Sequence, residues 1–391
     1  MTALPTLRSS SDAEALRAAV QAFVDDTVLP GVGEWDREDV LPDAVWDRLV
    51  ALGLPGAMVA PRFGGQGRTV SELVPAWRAL SRGWISLTGA VNPTGLATAL
   101  LSTHGTPEQQ ERWLPQLASG ATHAAFSITE PGAGSDLTQI TTTATRIDGG
   151  LRMDGRKRWV AGGVTAGVVC TMALVDGALS CVLLPADGRD SPTWRVEELD
   201  KVGYRGVESA AYVFDGHEAP GAEVLGGPEQ AGKGARQMLG ALGVGRVNVA
   251  CRALGIVDRA LEAALEEATH REVGGGALGE HTHAQLRIGE MRARLLAAEA
   301  LTLRAAAAVD AGAEEERDLT SAAKVVASET AVWAVDQAAR LAASRSYRAG
   351  DELARLRRDA PQTQIGEGAN DALLLALGRG PVEAAGDDDA G

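Results

Sequence analysis

A single glutamate near the carboxyl end of the chain, Glu367, stands between Gly366 and Gly368. A carboxylate can abstract a proton when the fold presents it to a substrate pocket. The charged segment before it predicts a helix that ends at Asp359. An acid in this position can act as a general base; the alternative interpretation is a solvent-facing glutamate in a loop.

A second segment far upstream, residues 126–136, is rich in small and hydroxyl-bearing side chains and reads FSITEPGAGSD. Gly132 and Gly134 allow a backbone to approach a bound molecule closely, because neither carries a Cβ. The segment predicts a loop that lies beside a cofactor. The alternative interpretation is a simple β-turn rich in proline and glycine.

Composition excludes several classes of function. The chain has 391 residues, which suits two or three packed domains, and a net charge of −15. That charge argues against a nucleic-acid partner, since phosphate binding needs a basic surface. The cysteines, Cys170, Cys181 and Cys251, lack the spacing of metal ligands, so we expect no metal and no disulfide framework. No signal peptide or run of about 18 apolar residues is evident, so we expect a cytoplasmic protein without a membrane partner.

Three regions differ in their hydrophobic periodicity. Residues 1–121 and 231–380 have the 3.6-residue period of helices, and residues 122–230 alternate as strands do, with hairpin signals at Asp148-Gly149 and Asp176-Gly177. Residues 381–391 form an acidic tail. The predicted fold class is α+β, with an N-terminal helical domain, a middle antiparallel β domain and a C-terminal four-helix bundle.

Short motifs occur in a fixed order along these regions. They are TEPGAGSD at 129–136, KRW at 157–159, KVGYRG at 201–206, LG at 225–226, GR at 245–246, Arg271, RD at 358–359 and EG at 367–368. With this set, over residues 12 to about 380, the chain closely resembles the acyl-CoA dehydrogenase family.

The resemblance implies FAD-dependent α,β-dehydrogenation of an acyl thioester. Glu367 would remove the α-proton while flavin N5 accepts the hydride from the next carbon, and the backbone N–H of Glu367 would bind the thioester oxygen. It also implies an acyl-CoA or acyl-carrier-protein substrate, an electron-transfer flavoprotein as acceptor, and a homo-oligomer (dimer or tetramer) or a heteromer with a sister chain. Two other readings stay open, a flavin monooxygenase on the same fold and an inactive partner subunit.

The resemblance also assigns roles to individual residues. Gly245 occupies the position at which some relatives carry their base, so Glu367 has no competitor there. The substrate-binding positions are Ser135, Gly245, Arg246, Gly366 and Gly368; for Arg246, which would contact the carrier, the alternative is an ordinary arginine on the helix surface. The cofactor-binding positions are Phe126, Ile128, Thr129, Gly134, Ser135, Trp159, Ala161, Arg271, Thr282, Ser344, Ala369 and Asp371.

The chain departs from the family pattern mainly at positions that face flavin. Ala161 and Ala369 replace threonines, Thr282 and Asp371 replace glutamines, residues 274–275 lack a phenylalanine, and residues 343–346 replace a glycine-rich stretch. Positions that act on a chain's own flavin ring are largely kept, whereas positions donated to a neighbour's flavin are mostly changed. Three explanations follow: FAD bound through substitute contacts in a homo-oligomer, a mixed assembly with a related partner, or loss of flavin.

Overall fold

The computed structural model describes residues 11–388, with side chains described as far as Arg379. The first ten residues of the predicted N-terminal domain and the last three of the predicted acidic tail lie outside the described residues. Helices, a β-sheet and a second set of helices follow one another along the chain. This order confirms the predicted α+β fold class.

Within residues 11–388, six α-helices precede the sheet. They are α1 Ser11–Phe23, α2 Leu29–Glu38, α3 Asp43–Ala51, α4 Val70–Gly83, α5 Ile85–His104 and α6 Pro107–Ser119. Thr69 and Thr106 each begin a helix with a reciprocal capping box, which satisfies backbone donors that would otherwise lack partners. Helix α5 is apolar nearly all round and buried, so it lies inside the molecule, where it can contact both the sheet and the later helices.

The middle region forms one large sheet with the strand order β6-β7-β3-β2-β4-β5-β8, and β1 also pairs with β4. The hairpins predicted at Asp148-Gly149 and Asp176-Gly177 are confirmed, since they connect β2 to β3 and β4 to β5. Asp176 and Gly177 both have positive φ, as a two-residue hairpin turn requires. The strands are β1 Ala124–Ser127, β2 Thr143–Ile147, β3 Gly150–Ala161, β4 Val168–Val175, β5 Ala178–Pro185, β6 Trp194–Glu198, β7 Ser209–Pro220 and β8 Glu223–Val224.

The sheet is mixed, whereas the sequence pattern predicted a purely antiparallel one. Strands β1 and β2 both run parallel to β4 and pair with successive stretches of it, at residues 168–171 and 174–175. The chain leaves the sheet between β1 and β2 and returns to continue along the same edge. Residues 128–142, which include most of the predicted cofactor loop, form this excursion. Alternation within a strand does not specify its partner's direction, so the parallel pairs were not predictable from it.

The C-terminal helices are longer than the sequence pattern predicted. Helix α10 continues past Asp359 to Ile365, so the prediction that it ends at Asp359 was wrong; Pro361 is accommodated inside it. Helix α7 could span a membrane by length and composition, but 89% of its most apolar window is buried, as in a core helix. The bounds are α7 Gly234–His270, α8 Thr282–Ala311, α9 Glu316–Ala342, α10 Glu352–Ile365 and α11 Asn370–Asp388, with a short hairpin of β9 Glu272–Val273 and β10 Gly276–Ala277 after α7.

Candidate active site

Glu367 lies in the four-residue connection between α10 and α11. Its φ is +55°, in the left-handed region, and the φ of Gly368 is +103°. A non-glycine residue pays roughly 1–2 kcal/mol in that region, so surrounding contacts must hold it there. Gly368 can adopt its conformation because it lacks a Cβ. The connection is therefore a tight turn in a conformation that the rest of the structure imposes.

The carboxylate of Glu367 points inward and contacts a helix from the first region. The carboxamide of Asn92, on buried α5, donates a hydrogen bond of 2.9 Å to Oε1 of Glu367. Desolvation raises the pKa of Glu367 above its ordinary value. The charge of Arg252 and the hydrogen bond from Asn92 oppose this rise, as do two further cations, Arg246 and Lys324. The alternative interpretation of a solvent-facing glutamate does not fit these contacts.

Glycine at position 245 leaves room for that carboxylate. A Cβ added to Gly245 would lie 2.8 Å from Cδ and 3.0 Å from Oε2 of Glu367. A Cβ at Gly366 would instead lie 2.8 Å from the side-chain nitrogen of Gln362. An added Cβ at either position would therefore meet the end of a neighbouring side chain, which would have to move.

Arg246 lies beneath the Glu367 connection. It is 5% exposed, and its Nε donates a long hydrogen bond of 3.4 Å to the backbone carbonyl of Glu367. The alternative interpretation of an ordinary surface arginine is therefore wrong. Arg246 also lines a cavity of about 230 Å³ between the start of α7 and the start of α9, together with Arg317 and Thr320.

A larger cavity, of about 550 Å³, lies between α2, α7 and α10. Arg205, Arg259 and Arg355 line it, and Glu367 does not. Most of these cations already have acidic partners: Arg259 pairs with Glu352, and so does Arg355. We place the candidate site at Glu367, which can act as a base, and not at the larger cavity, whose arginines are mostly paired with carboxylates.

The excursion at residues 128–142 is held by a buried ion pair. Lys157 on β3 is fully buried and donates to the Glu130 carboxylate at 2.8 Å. The same carboxylate accepts the backbone N–H groups of Thr141 and Thr142 at 2.8 and 3.0 Å. Burial raises the pKa of Glu130, but the hydrogen bond from Lys157 and those from the other donors outweigh this effect. Together they lower the pKa of Glu130 to about 2. The loop is therefore fixed at both of its ends.

Trp159 lies next to this loop because of an irregularity in β3. The register of β3 against β7 shifts between Lys157 and Val160, and Trp159 has a φ of +59° and is 55% exposed. The backbone N–H of Arg158 donates to the carbonyl of Thr129 at 2.8 Å, which joins β3 to the loop. The bulge thus turns an indole outward beside the loop instead of into the sheet core.

The surroundings of Trp159 suit a flat, partly polar ligand. A Cβ built on Gly132 or Gly134 would meet no atom within 4 Å, so the loop has open space beside it. Ser135 is exposed and Thr129 is half-buried, which leaves hydroxyl groups accessible. These residues fit the polar edge and the face of an isoalloxazine ring. Phe126, Ile128 and Ala161 are also half-buried around this region.

Helix α5 connects the loop side with Glu367. Its Thr94 hydroxyl accepts the backbone N–H of Ala124, at the start of β1, at 3.2 Å. Its Asn92 holds Glu367, as described above. One buried helix therefore links the strand that leads into the loop with the candidate base.

Three other predicted cofactor positions, Arg271, Thr282 and Ser344, lie near the opposite end of α7. Arg271 donates to the carbonyl of Leu341 at 2.7 Å, which places it beside the segment that contains exposed Ser344. Thr282 is exposed at the start of α8. At about 1.5 Å per residue, Gly245 and Arg271 are roughly 39 Å apart along α7. Within one chain, Arg271, Ser344 and Thr282 are not brought to Glu367, whereas Ala369 and Asp371 are adjacent to it in the chain.

Sequence reasoning missed several residues that shape the site. Asn92 and Lys324 gave no signal of their own, since each acts through a long-range contact. Glu130 could have been suspected, because a glutamate inside a loop of small residues needs a partner, and Lys157 belongs to a motif already noted.

Comparison with known proteins defines the class. Family models for the acyl-CoA dehydrogenase N-terminal, middle and C-terminal domains match residues 10–121, 125–217 and 232–380. The chain belongs to the acyl-CoA dehydrogenase family. It is an oxidoreductase that acts on CH–CH bonds, with FAD as its cofactor. This class favours a dehydrogenase over the monooxygenase alternative.

Individual relatives extend over nearly the whole chain. Benzylmalonyl-CoA dehydrogenase from Aromatoleum aromaticum is 30% identical over 372 residues, which cover 95% of this chain and 98% of the relative. The solved butyryl-CoA dehydrogenase from Megasphaera elsdenii has a TM-score of 0.90 and 27% identity, covering 96% of this chain and 99% of its own. A glutaryl-coenzyme A dehydrogenase in complex with glutaryl-CoA has a TM-score of 0.89 and 26% identity, covering 96% of both chains.

Proposed function

We propose that this protein catalyses α,β-dehydrogenation of an acyl-CoA with Glu367 as the base that removes the α-proton. The observation that carries the proposal is the inward-pointing carboxylate of Glu367, hydrogen-bonded by Asn92 and fitted against Gly245. A desolvated carboxylate with a raised pKa is a stronger base than an exposed one, which suits a weakly acidic α-proton.

The same connection offers a donor for the developing enolate. Among the described residues, no backbone carbonyl or side chain accepts the N–H of Glu367. A thioester oxygen placed against this N–H would gain stabilisation as negative charge develops on it. Glu367 would then contribute both its carboxylate and its backbone amide. FAD, when bound, accepts the hydride that leaves the β-carbon.

The loop side supplies the place for the cofactor. Phe126, Ile128, Thr129, Gly134 and Ser135 would lie along the ring, with Trp159 against its face. The loss of the threonine hydroxyl at Ala161 would weaken one contact to the ring without removing the Thr129 and Ser135 hydroxyls.

We propose coenzyme A as the carrier, with an acyl-carrier protein as the alternative. Arg246 and Arg317 line the cavity of about 230 Å³ next to the Glu367 connection. These cations would attract the phosphates of CoA, although Glu314 and Glu316 in the same lining reduce the net charge. The relatives described above are also CoA enzymes.

The distance between the two groups of cofactor positions supports an oligomer. Arg271, Thr282 and Ser344 would serve the flavin of a neighbouring subunit, since they lie far from Glu367 in their own chain. A homo-oligomer is the simpler assembly, and a heteromer with a sister chain is the alternative. Arg345, in the segment that replaces the glycine-rich stretch, pairs with Glu267 at 2.9 Å, so its charge is already engaged. An electron-transfer flavoprotein would accept the electrons.

A visible spectrum of the purified protein, followed by anaerobic titration with acyl-CoAs of different chain shape, tests the proposal. We expect flavin absorbance that bleaches with at least one acyl-CoA, and no bleaching in Glu367→Gln at equal flavin content. Bleaching of the Gln variant at the wild-type rate would remove Glu367 from the mechanism. Faster bleaching by the matching acyl-carrier-protein thioester would reverse the choice of carrier.

A further inference from the structure

Helix α9 contacts the residues on both sides of the candidate base, and a buried lysine makes three of these contacts. Lys324 is fully buried, which is rare for a lysine unless its ammonium group is paired or fully hydrogen-bonded. Its Nζ donates to the backbone carbonyl of Gln364 at 2.9 Å, to the carbonyl of Gly368 at 2.7 Å and to Oδ1 of Asn370 at 2.7 Å. Three donors meet three acceptors, so the ammonium group is satisfied.

All three acceptors belong to the segment that carries Glu367. Gln364 is in the last turn of α10, whose final carbonyls have no partner within the helix, and Asn370 begins α11. A cation at the carboxyl end of a helix is also favoured by the helix dipole. Lys324 therefore joins the end of one helix to the start of the next, across the turn that holds Glu367.

The neighbouring turn of α9 reinforces this junction. Asn370 donates to the Ser328 hydroxyl at 3.0 Å and to the Glu329 carboxylate at 2.6 Å, and Gln364 donates to that carboxylate at 2.8 Å. Lys324, Ser328 and Glu329 thus present one face of α9 to the segment. None of their side chains hydrogen-bonds to the carboxylate of Glu367 itself.

We infer that Lys324 is a positioning residue, which holds the connection between α10 and α11 so that the carboxylate and the backbone N–H of Glu367 meet the substrate together. The inference rests on the proposed role of Glu367. The left-handed conformation of Glu367 has an energetic cost, and a segment without its ammonium anchor can relax to a cheaper one. A displacement of about 1 Å can lower a rate on the order of 100-fold.

Charge alone would not reproduce this anchor. An arginine at position 324 keeps the positive charge, but its planar guanidinium cannot direct donors to three acceptors arranged around one point. Lys324→Arg is therefore the charge-preserving variant, and Lys324→Met removes both charge and donors. Asn370→Ala removes one acceptor. Lys201→Met is the matched control, since Lys201 is also largely buried but pairs with Asp39, away from this segment.

The test compares holoenzymes of these variants and of Glu367→Gln, using the acyl-CoA that reduces the wild-type flavin fastest. Lys324→Met should reduce flavin about tenfold to 100-fold more slowly, with less than about a threefold change in substrate affinity. The isotope effect of an α-deuterated substrate should rise. Backbone amides of residues 364–370 should exchange with deuterated solvent faster, and Lys201→Met should match the wild type in all four measurements.

If Lys324 only stabilised the fold, Lys324→Met would not change the isotope effect of the α-deuterated substrate. Nor would it lower the rate of flavin reduction while leaving substrate affinity nearly unchanged. Combining Lys324→Met with Asn370→Ala should cost less than the sum of the single effects, because both remove the same contact. The inference fails if folded Lys324→Met reduces flavin within twofold of wild type, or if rate and affinity fall equally. If Lys324→Met does not yield folded holoenzyme, the same limits on the rate of flavin reduction and on substrate affinity are applied to Lys324→Arg and Asn370→Ala. Wild-type reduction in Glu367→Gln would instead overturn the proposed function itself.

The pH profile adds an independent measurement. Burial lowers the pKa of Lys324 to about 8, with Glu367 and Glu329 acting to raise it and Arg246 acting to lower it further. Above that pH a neutral amine keeps two of its three donors. The rate of wild-type flavin reduction should therefore fall as the pH rises through about 8, and Lys324→Met should lack this decline. An identical decline in Lys324→Met would assign it to another group and count against the anchor.

Discussion

The side chain of Glu367 fills the space in which a side chain at Gly245 would begin, since a Cβ on Gly245 would lie within 3.1 Å of three side-chain atoms of Glu367. Real Cβ atoms are almost never found closer than 3.0 Å to such neighbours, and here the distance to Cδ is 2.8 Å. Helix α7 and the connection after α10 are thus fitted to each other at the candidate base. Glycine in the middle of a long helix is destabilising relative to alanine, so its presence here reflects this packing.

Alanine at position 245 should therefore displace the base. We expect Gly245→Ala to lower the rate of flavin reduction by about tenfold or more, because a shift of about 1 Å is costly to a positioned base. Gly289→Ala is the matched control, since nothing lies within 4 Å of its Cβ position on α8. That control should leave the rate unchanged and raise the melting temperature slightly. A Gly245→Ala enzyme as fast as the control would contradict the close fit.

The close fit between positions 245 and 367 also predicts that a carboxylate on α7 can replace the one in the connection after α10. In the double variant Gly245→Glu with Glu367→Gly, a carboxylate from α7 would reach the region that Glu367 now occupies. We expect it to recover about tenfold or more of the rate lost in Glu367→Gly alone, because the reacting atoms can again approach each other. Stopped-flow flavin reduction measures this. No recovery, with intact flavin and substrate affinity, would show that the two positions are not equivalent.

The hydrogen bond from Asn92 should tune the base. Since it lowers the pKa of Glu367, Asn92→Ala should move the acidic limb of the pH–rate profile upward. At a pH on that limb the rate should fall by about tenfold, which corresponds to the roughly 1.5 kcal/mol that a hydrogen bond to a charged group contributes. Thr98→Val is the control on the same helix, since the Thr98 hydroxyl has no hydrogen-bond partner among the described residues. A downward shift in Asn92→Ala would exclude the contact.

The raised pKa of Glu367 has a consequence for stability. The folded state favours the protonated carboxyl, so between pH 4.5 and the raised value the folded protein binds more protons than the unfolded chain. Stability is therefore lost as the pH rises through that window. Glu367→Gln should be more stable than wild type at neutral pH, by on the order of 1 kcal/mol. The difference should vanish below about pH 4.5, which chemical denaturation of both proteins across that range would measure.

Local features of the sequence predicted the local parts of this structure well. The turn at Asp176-Gly177 specifies its hairpin because the two residues adopt positive φ readily. The role of Glu367 as the base came from the family resemblance rather than from a local pattern. The contact between Asn92 and Glu367 joins residues 275 positions apart, and no local pattern encodes it. Lys324 looked like one more polar residue of an alanine-rich helix. Its burial follows from how α9 packs against the end of α10, which periodicity cannot show.

The buried pair of Lys157 and Glu130 should hold the cofactor loop. Lys157→Met leaves a buried carboxylate without its cation, which costs about 3–5 kcal/mol. We expect a lower melting temperature and weaker retention of flavin, since residues 128–142 lose their anchor to β3. Glu130→Gln combined with Lys157→Met removes the unpaired charge and should recover most of the stability.

The dependence of flavin retention on acidic pH distinguishes loss of the Lys157–Glu130 ion pair from other causes of instability. Because the pKa of Glu130 is lowered to about 2, its contribution is present above pH 4.5 and is lost as the pH falls toward 2. Wild-type protein should lose flavin over that acidic range, and the double variant should show a shallower dependence. The fluorescence of flavin released from the protein during a pH titration measures this loss in the wild type and in the double variant. If Lys157→Met retains flavin as the wild type does down to pH 4.5, the ion pair does not anchor the loop.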